Sequence, residues 1–330
     1  MKRLIVIAAL AALAIQPALA LGRKEAPRAE LAPLSIRVGA IKGPTGIGMV
    51  ALFEAPPALP EGLTPSFEAL AGADAAAAKL LSGELDAAVL PINMAAKLYN
   101  AGLPYRMVAL VGNGMVRVLT NDPGLDSVAG LRGAELHVAG QGATPDFVVR
   151  TILNHAGLDP ESAVRLNYSL PYPELAASLA SGKIKTAVLP EPFVTVALRA
   201  NPSLREAFSL DAAWKAATGQ ESYPMSVFVV RDALIRERPA GVRALAEAYR
   251  GAIRQALADP AAVGALVEKH DFGLKAPIAA AAIPNSAYVF TPAPAARAAV
   301  EALLSVFLKA APISIGGKLP DAAFYAELGL

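Results

Sequence analysis

An eleven-residue pattern occurs twice in this chain. Leu81–Pro91 (LSGELDAAVLP) returns as Ala180–Pro190 (ASGKIKTAVLP), ungapped, with Ser-Gly and Ala-Val-Leu-Pro in the same places. In each copy a helix ends at Ser-Gly, a polar step follows, then a short apolar strand, then a proline that opens a loop. Gly83 and Gly182 suit the left-handed backbone of a helix terminus, and Pro91 and Pro190 stop a strand where the chain turns away. Recurrence by chance is the plainer alternative, but the equal spacing favours two similar lobes. Each proline marks the carboxyl end of a strand, the place where open α/β sheets receive ligands.

The surroundings of both copies alternate short β-branched runs with longer Ala/Leu-rich stretches. Strands are expected at Ser35–Ala40, Asp86–Leu90, Met107–Val111, Met115–Thr120, Glu135–Ala139, Val164–Tyr168 and Met225–Val230. Helices are expected at Ala73–Leu81, Asn93–Asn100, Asp146–His155 and Pro171–Leu179. The alternation predicts an α/β fold with mostly parallel sheet. From Leu234 onward the chain reads as almost wholly helical, with prolines opening most helices. That ending is expected to pack back on the first lobe.

The N-terminus has a separate logic. Lys2 and Arg3 precede an apolar run from Leu4 to Ile15, then Pro17 and the small-x-small triplet Ala18-Leu19-Ala20. This is the layout of a secretory signal peptide over residues 1–20, cleaved after Ala20; the run is short for a membrane span of about 20 residues. Residues 21–34 read as a charged, proline-containing lead-in. Cysteine is absent, which excludes disulfides, thiolate metal sites and a lipid-anchoring cysteine. Without Lys2 and Arg3, 28 basic residues stand against 28 acidic ones. A neutral chain gives no support for nucleic-acid binding. These features together predict a free periplasmic protein, active as a monomer.

Loops that follow strand ends supply the candidate ligand contacts. Gly140 to Pro145 combines two glycines that let backbone N–H groups approach a ligand with Thr144 as a helix cap before Pro145; Gln141 and Ala143 belong to the same loop. Such a helix start offers donors and a partial positive charge to an anion, although Asp146 already answers part of that dipole. Gly43, Pro44, Thr45 and Gly46 form the matching turn of the first lobe, which lacks the Gly-Lys-Ser/Thr of a P-loop. Asn93 offers donor and acceptor two residues past Pro91, or caps the next helix. Glu191 sits at the partner strand end, as a contact for a cationic group or as solvated surface. Lys42 and Arg117 read as anion partners or surface charges, and Tyr168 and Tyr223 as stacking platforms or packing residues. Trp214, in a helical context, reads as packing. His137, His155 and His270 are scattered and build no metal motif, no G-x-S-x-G elbow is present, and no cofactor is expected.

The order of these motifs resembles the periplasmic binding proteins of ABC importers for nitrate, sulfonates and thiamine precursors (SsuA- and NMT1/THI5-like). The carriers are Gly43–Gly46, Gly83–Pro91 with Asn93, Leu125–Gly133, Gln141–Asp146, Gly157-Leu158 and Gly182 through Phe193. The resemblance implies a type II periplasmic-binding-protein fold, with two α/β lobes and a two-segment hinge crossing near Gly112–Gly114 and Ser222–Met225. Lobe 1 is then expected at 35–112 plus 224–330 and lobe 2 at 113–223, and Asn113 and Tyr223 join the ligand-binding set. It also implies a small-molecule solute, of the sulfonate or heteroaromatic vitamin-precursor class, and an ABC permease with its ATPase as partners. Two alternatives are an enzyme of the same fold, such as a menaquinone-pathway chorismate dehydratase-like protein, and a TRAP-type receptor. The signal peptide speaks against the first.

Overall fold

The computed structural model describes residues 32–330. The expected signal peptide and residues 21–31 of the lead-in lie outside the described residues. Strands β1 (Leu34–Ile41), β2 (Leu63–Leu70), β3 (Ala87–Pro91) and β4 (Tyr105–Gly112) open the chain. Next come β5 (Val116–Thr120), β6 (Glu135–Val138), β7 (Arg165–Asn167), β8 (Thr186–Pro190) and β9 (Arg205–Glu206). Finally β10 (Ser226–Arg231) and β11 (Tyr288–Pro292) return. One six-stranded sheet runs β11-β4-β10-β3-β1-β2, and a five-stranded sheet runs β7-β6-β8-β5-β9.

The two copies of the repeated pattern take equivalent places. In both, the helix stops at a serine and the next glycine is left-handed, Gly83 at φ 75° and Gly182 at φ 76°. The strands that follow, β3 and β8, are buried from Ala87 to Leu90 and from Thr186 to Pro190. Each pairs in parallel with the first strand of its own α/β unit, β3 with β1 and β8 with β6, and antiparallel with a strand arriving from the other sheet.

That arrival explains why the sheets are mixed rather than mostly parallel. β5 enters the second sheet directly from β4, and β10 re-enters the first sheet after the second is complete. Both run against their neighbours, β5 against β8 and β9, β10 against β3 and β4. Helical crossovers keep β1, β2 and β3 parallel.

The C-terminal region is not wholly helical: β11 closes the first sheet beside β4. It was concealed because it is an edge strand ending in Pro292, where no ladder donor is needed. Beyond helix Ala293–Ala310 the tail returns to the same sheet, with Tyr325 bridging Met107 and the Ala326 N–H donating to the Met107 carbonyl at 2.8 Å. The end of the chain thus lies against β4 of the first sheet.

The two chain crossings lie side by side. Met225 N–H donates to the Gly112 carbonyl at 2.8 Å, and Gly114 N–H donates to the Ser222 hydroxyl at 3.2 Å. Gly114 is required sterically, since a β-carbon there would stand 2.7 Å from the Tyr223 ring and 2.6 Å from Asp211 Oδ1.

Candidate functional site

A cleft of about 310 Å³ opens where the carboxyl ends of both sheets face each other. Pro91 and Pro190, the last residues of the two repeated strands, both line it. Met115 and Met225, one from each crossing, form part of its wall, and Ser226 opens β10 beside them. The remaining walls come from helix beginnings. Pro44 and Thr45 begin helix Pro44–Ile47, and Ala73 begins Ala73–Leu81. Asn93 and Met94 lie in the first turn of Ile92–Asn100, Thr144 and Pro145 begin Thr144–His155, and Tyr172 begins Tyr172–Ala180.

None of these five helices has a side-chain cap. Their cap positions are Gly43, Gly72, Pro91, Ala143 and Pro171, and none of them supplies a side-chain hydrogen bond. The capped α-helices Leu210–Thr218 and Pro260–Lys269, served by Ser209 and Asp259, do not line the cleft. Uncapped first turns leave backbone N–H donors beside the cleft, but Asp74, Asp146 and Glu174 answer the dipole in the first turns of three of these helices, and the Ile92 N–H is taken by the Met225 carbonyl at 3.1 Å. Thr45, Asn93 and Thr144 sit inside their helices, not at the caps expected of them, so their polar groups are free to face a ligand.

No lysine, arginine, aspartate or glutamate lines the cleft among the described residues. Tyr172 is the one titratable lining group, and burial pushes its phenol up to about 12, so it stays a neutral hydroxyl. Its ring is stacked on Phe193 at 5.4 Å and 19°. Thr144 and Ser226 are 5% and 4% exposed, so two hydroxyl residues line the cleft from largely buried positions, one on helix Thr144–His155 and one at the start of β10.

Of the residues read from the sequence, Pro44, Thr45, Asn93, Ala143 and Thr144 converge on the cleft. The others lie outside its lining. Gly43 and Gly46 shape the turn: the Gly43 N–H is engaged by the Phe272 carbonyl at 3.1 Å, and Gly46 is buried. The Gly142 N–H, expected to face a ligand, donates instead to Asp146 Oδ2 at 2.8 Å, and Gln141 is exposed. Asn113 donates its backbone N–H to the Ala287 carbonyl at 3.1 Å. Tyr223 is fully buried, edge-on to Trp214 at 5.7 Å, and does not line the cleft. Trp214 is likewise a core residue.

Glu191 is neither lining nor solvated surface. It is 2% exposed, and its carboxylate accepts from the Thr195 N–H at 3.2 Å. Burial raises its pKa, against the hydrogen bonds from Thr195 and the charge of Arg117. Lys42 pairs with Asp271 at 2.5 Å and Arg117 lies 3.7 Å from Glu206. Tyr168 donates to Asp146 at 2.6 Å. A second hollow of about 370 Å³, bounded by Tyr99, Arg106, Asp232 and Asp321, lies on the first lobe alone. Four of its polar side chains pair with one another, Tyr99 with Asp321 and Arg106 with Asp232.

The methionines, Ser226 and Tyr172 were not legible as site residues. Methionine carries no motif, Ser226 is one residue of an apolar strand, and Tyr172 sits in an ordinary helix start. The signal available was position: each lies within a few residues of Pro91, Gly114, Pro171 or Tyr223.

Comparison with known proteins adds the following. A model of the NMT1-like family matches residues 52–268. An ABC transporter structure from Parabacteroides distasonis is similar with a TM-score of 0.76 at 27% identity, covering 89% of this chain and 99% of that one. The periplasmic aliphatic sulphonate binding protein SsuA of Escherichia coli gives 0.66 at 18% identity, over 88% and 92% of the two chains. The periplasmic nitrate-binding protein NrtA of Synechocystis gives 0.51 at 16% identity, over 75% and 69%. No curated protein matches the chain in sequence.

Proposed function

The chain belongs to the NMT1-like family and has the two-lobed type II periplasmic-binding-protein fold, and from that premise we propose that it is the solute-binding subunit of an ABC-type importer. In this reading one small organic solute enters the cleft between lobe 1 (35–112 plus 224–330) and lobe 2 (113–223). The lobes close on it by rotation about the paired crossings, and a permease with its ATPase receives the closed form. The periplasm is the compartment in which such a receptor works. Hinge closure around a ligand is a well-established motion of two-lobed receptors.

The observation that carries the reading is the composition of the cleft. Both lobes contribute uncapped helix starts and neutral polar side chains, which suits reversible capture. Affinity then comes from backbone and hydroxyl hydrogen bonds that strengthen as water leaves on closure. The solute class follows the same logic: sulfonates and heteroaromatic vitamin precursors both join a polar head to an apolar body.

A thermal-shift screen against sulfonates, nitrate, pyrimidine and flavin-type vitamins and carboxylates tests this. A ligand at 100-fold its Kd adds about 2.7 kcal/mol of stability, a visible shift. Thr144→Ala and Asn93→Ala are expected to weaken that shift. Turnover of a bound compound by the purified chain alone would overturn the reading.

A further inference from the structure

We propose that Glu191 makes the resting angle between the lobes depend on pH: protonated, its carboxyl stays at the junction of β8 with β11, and ionised, it favours the arrangement in which the lobes part. This rests on the motion about the crossings in the receptor reading above and adds a control that needs no solute.

The placement comes from the first crossing, Gly112 to Val116. Its first half is tied to lobe 1: Gly112 lies opposite Tyr288 in the pairing of β4 with β11, and the Asn113 N–H donates to the Ala287 carbonyl at 3.1 Å. Its second half is tied to lobe 2: the Met115 carbonyl accepts from the Glu191 N–H at 2.9 Å, and Val116 lies opposite Pro190. The end of β8 and the start of β11 are therefore held within a few residues of each other along the crossing. Just beyond, helix Phe193–Ala200 of lobe 2 packs on helix Ala276–Ala282 of lobe 1. Glu191 stands in the chain between these contacts and is 2% exposed. Motion about the crossing shifts β8 against β11 and lets water reach the carboxyl.

What surrounds the carboxyl decides which of its two forms the junction accepts. On the helix that follows, Thr195 donates its N–H at 3.2 Å, and Arg199 is exposed in the last turn. From β5 comes Arg117, the one cation among the described residues whose charge favours the carboxylate. That guanidinium is shared, for it donates to the Val116 carbonyl at 3.0 Å and lies 3.7 Å from Glu206 on β9. Asp211 adds a further carboxylate beside the crossing, accepting from the Ser222 hydroxyl at 2.8 Å. From lobe 1, β11 brings Tyr288, whose hydroxyl already donates to the Pro44 carbonyl at 2.9 Å. Helix Ala276–Ala282, APIAAAA, has no polar side chain. These elements of lobe 1 offer an ionised Glu191 no countercharge. Burial raises the Glu191 pKa, and burial and the charge of Glu191 both push the Tyr288 phenol up. The closed form thus holds the proton more tightly than an open form with its carboxyl in water. The closed-to-open ratio is greatest below the ordinary 4.5 and falls by up to about tenfold per pH unit above it, until the raised value is passed.

Small-angle scattering of the purified, solute-free chain between about pH 4 and 8, with far-ultraviolet dichroism to confirm folding at each point, tests the inference. The radius of gyration is expected to increase with pH along a one-proton transition centred above the ordinary carboxylate range. Glu191→Gln is expected to keep the acid value throughout. Arg117→Gln removes the charge that favours the carboxylate, so its midpoint is expected to move upward, a shift that a merely structural role for Arg117 does not produce. This second variant decides the matter if Glu191→Gln does not fold. A parental radius independent of pH overturns the inference, as does an unchanged transition in Glu191→Gln or an unmoved midpoint in Arg117→Gln. Repeating the scattering at one pH with the sulfonates, nitrate, vitamins and carboxylates of the thermal-shift screen separates the two readings. Compaction with any of them, in a chain whose radius ignores pH, keeps the receptor and discards the pH control. A radius that answers neither pH nor any of these compounds counts against both.

Discussion

A β-carbon on Gly46 would stand 2.3 Å from the Ile41 carbonyl oxygen and 3.0 Å from the Phe272 ring. The first of these neighbours is backbone and has nowhere to go. Gly46→Ala is therefore expected to cost about 1–3 kcal/mol, read as a lower urea midpoint. Gly251 is the control: it is exposed in the middle of helix Pro239–Ala258 with nothing within 4 Å. Gly251→Ala should stabilise by about 0.5–1 kcal/mol, because alanine loses less backbone entropy on folding. Glu191 makes a different kind of prediction. Its buried carboxyl has a pKa raised above the ordinary 4.5, so the folded state holds a proton that the unfolded state releases first. Its favourable contribution is complete below the unfolded pKa and falls as pH rises through the folded one. Glu191→Gln should remove that fall: urea midpoints of variant and parent should lie closest in acid and diverge in the variant's favour as pH rises above the ordinary carboxylate range.

Helix Thr144–His155 shows what one element contributes and how much of it could be read in advance. Its start was visible in Thr144-Pro145, but the cap falls on Ala143, and the polar residue that organises the loop is Asp146. That carboxylate accepts from the Gly142 N–H at 2.8 Å, Arg150 Nε at 2.7 Å and the Tyr168 hydroxyl at 2.6 Å. Asp146→Ala leaves Arg150 without its inner partner and frees the Gly140–Ala143 loop. A loss of about 3 kcal/mol is expected, together with weaker ligand binding, measurable by urea titration and calorimetry on the same protein. Sequence spacing could not show this knot, since Tyr168 comes from a loop beyond β7 and is brought in only by the fold. The repeated strands, by contrast, were legible because buried strands read as continuous apolar runs between a glycine and a proline. Among the edge strands β7 was legible within Val164–Tyr168, but two were not: β2 contains Pro65 and buries mainly its ends, Leu63 and Leu70, and β11 ends in Pro292. An edge strand needs fewer ladder hydrogen bonds and less burial, so it leaves a weaker mark in the sequence.

One apolar cluster joins Leu90, Met107 and Leu110 of the first sheet to Val116, Val118 and Leu136 of the second. Phe307, in the C-terminal helix Ala293–Ala310, is part of it and meets the Phe147 ring of helix Thr144–His155 at 4.3 Å. On the proposed reading, in which the lobes open and close about two crossings, the molecule keeps a continuous core running through both of them. Such a core couples their stabilities, because losing either half strips partners from the other. The chain carries its own reporter of this coupling. Trp214 is the only tryptophan, and it is buried in helix Leu210–Thr218 against Tyr223. Its fluorescence follows the second lobe, whereas far-ultraviolet dichroism follows the helices of both. Phe307→Ala opens a cavity in the shared core and is expected to cost about 3–5 kcal/mol. If the lobes unfold as one unit, the tryptophan and dichroism midpoints in urea coincide in the parent and shift together in the variant. Lobes that unfold separately would leave the Trp214 transition near its parental midpoint while the dichroism curve splits. The hinge would then be a link between two independent domains, and the energy of closure would have to come from the bound solute alone.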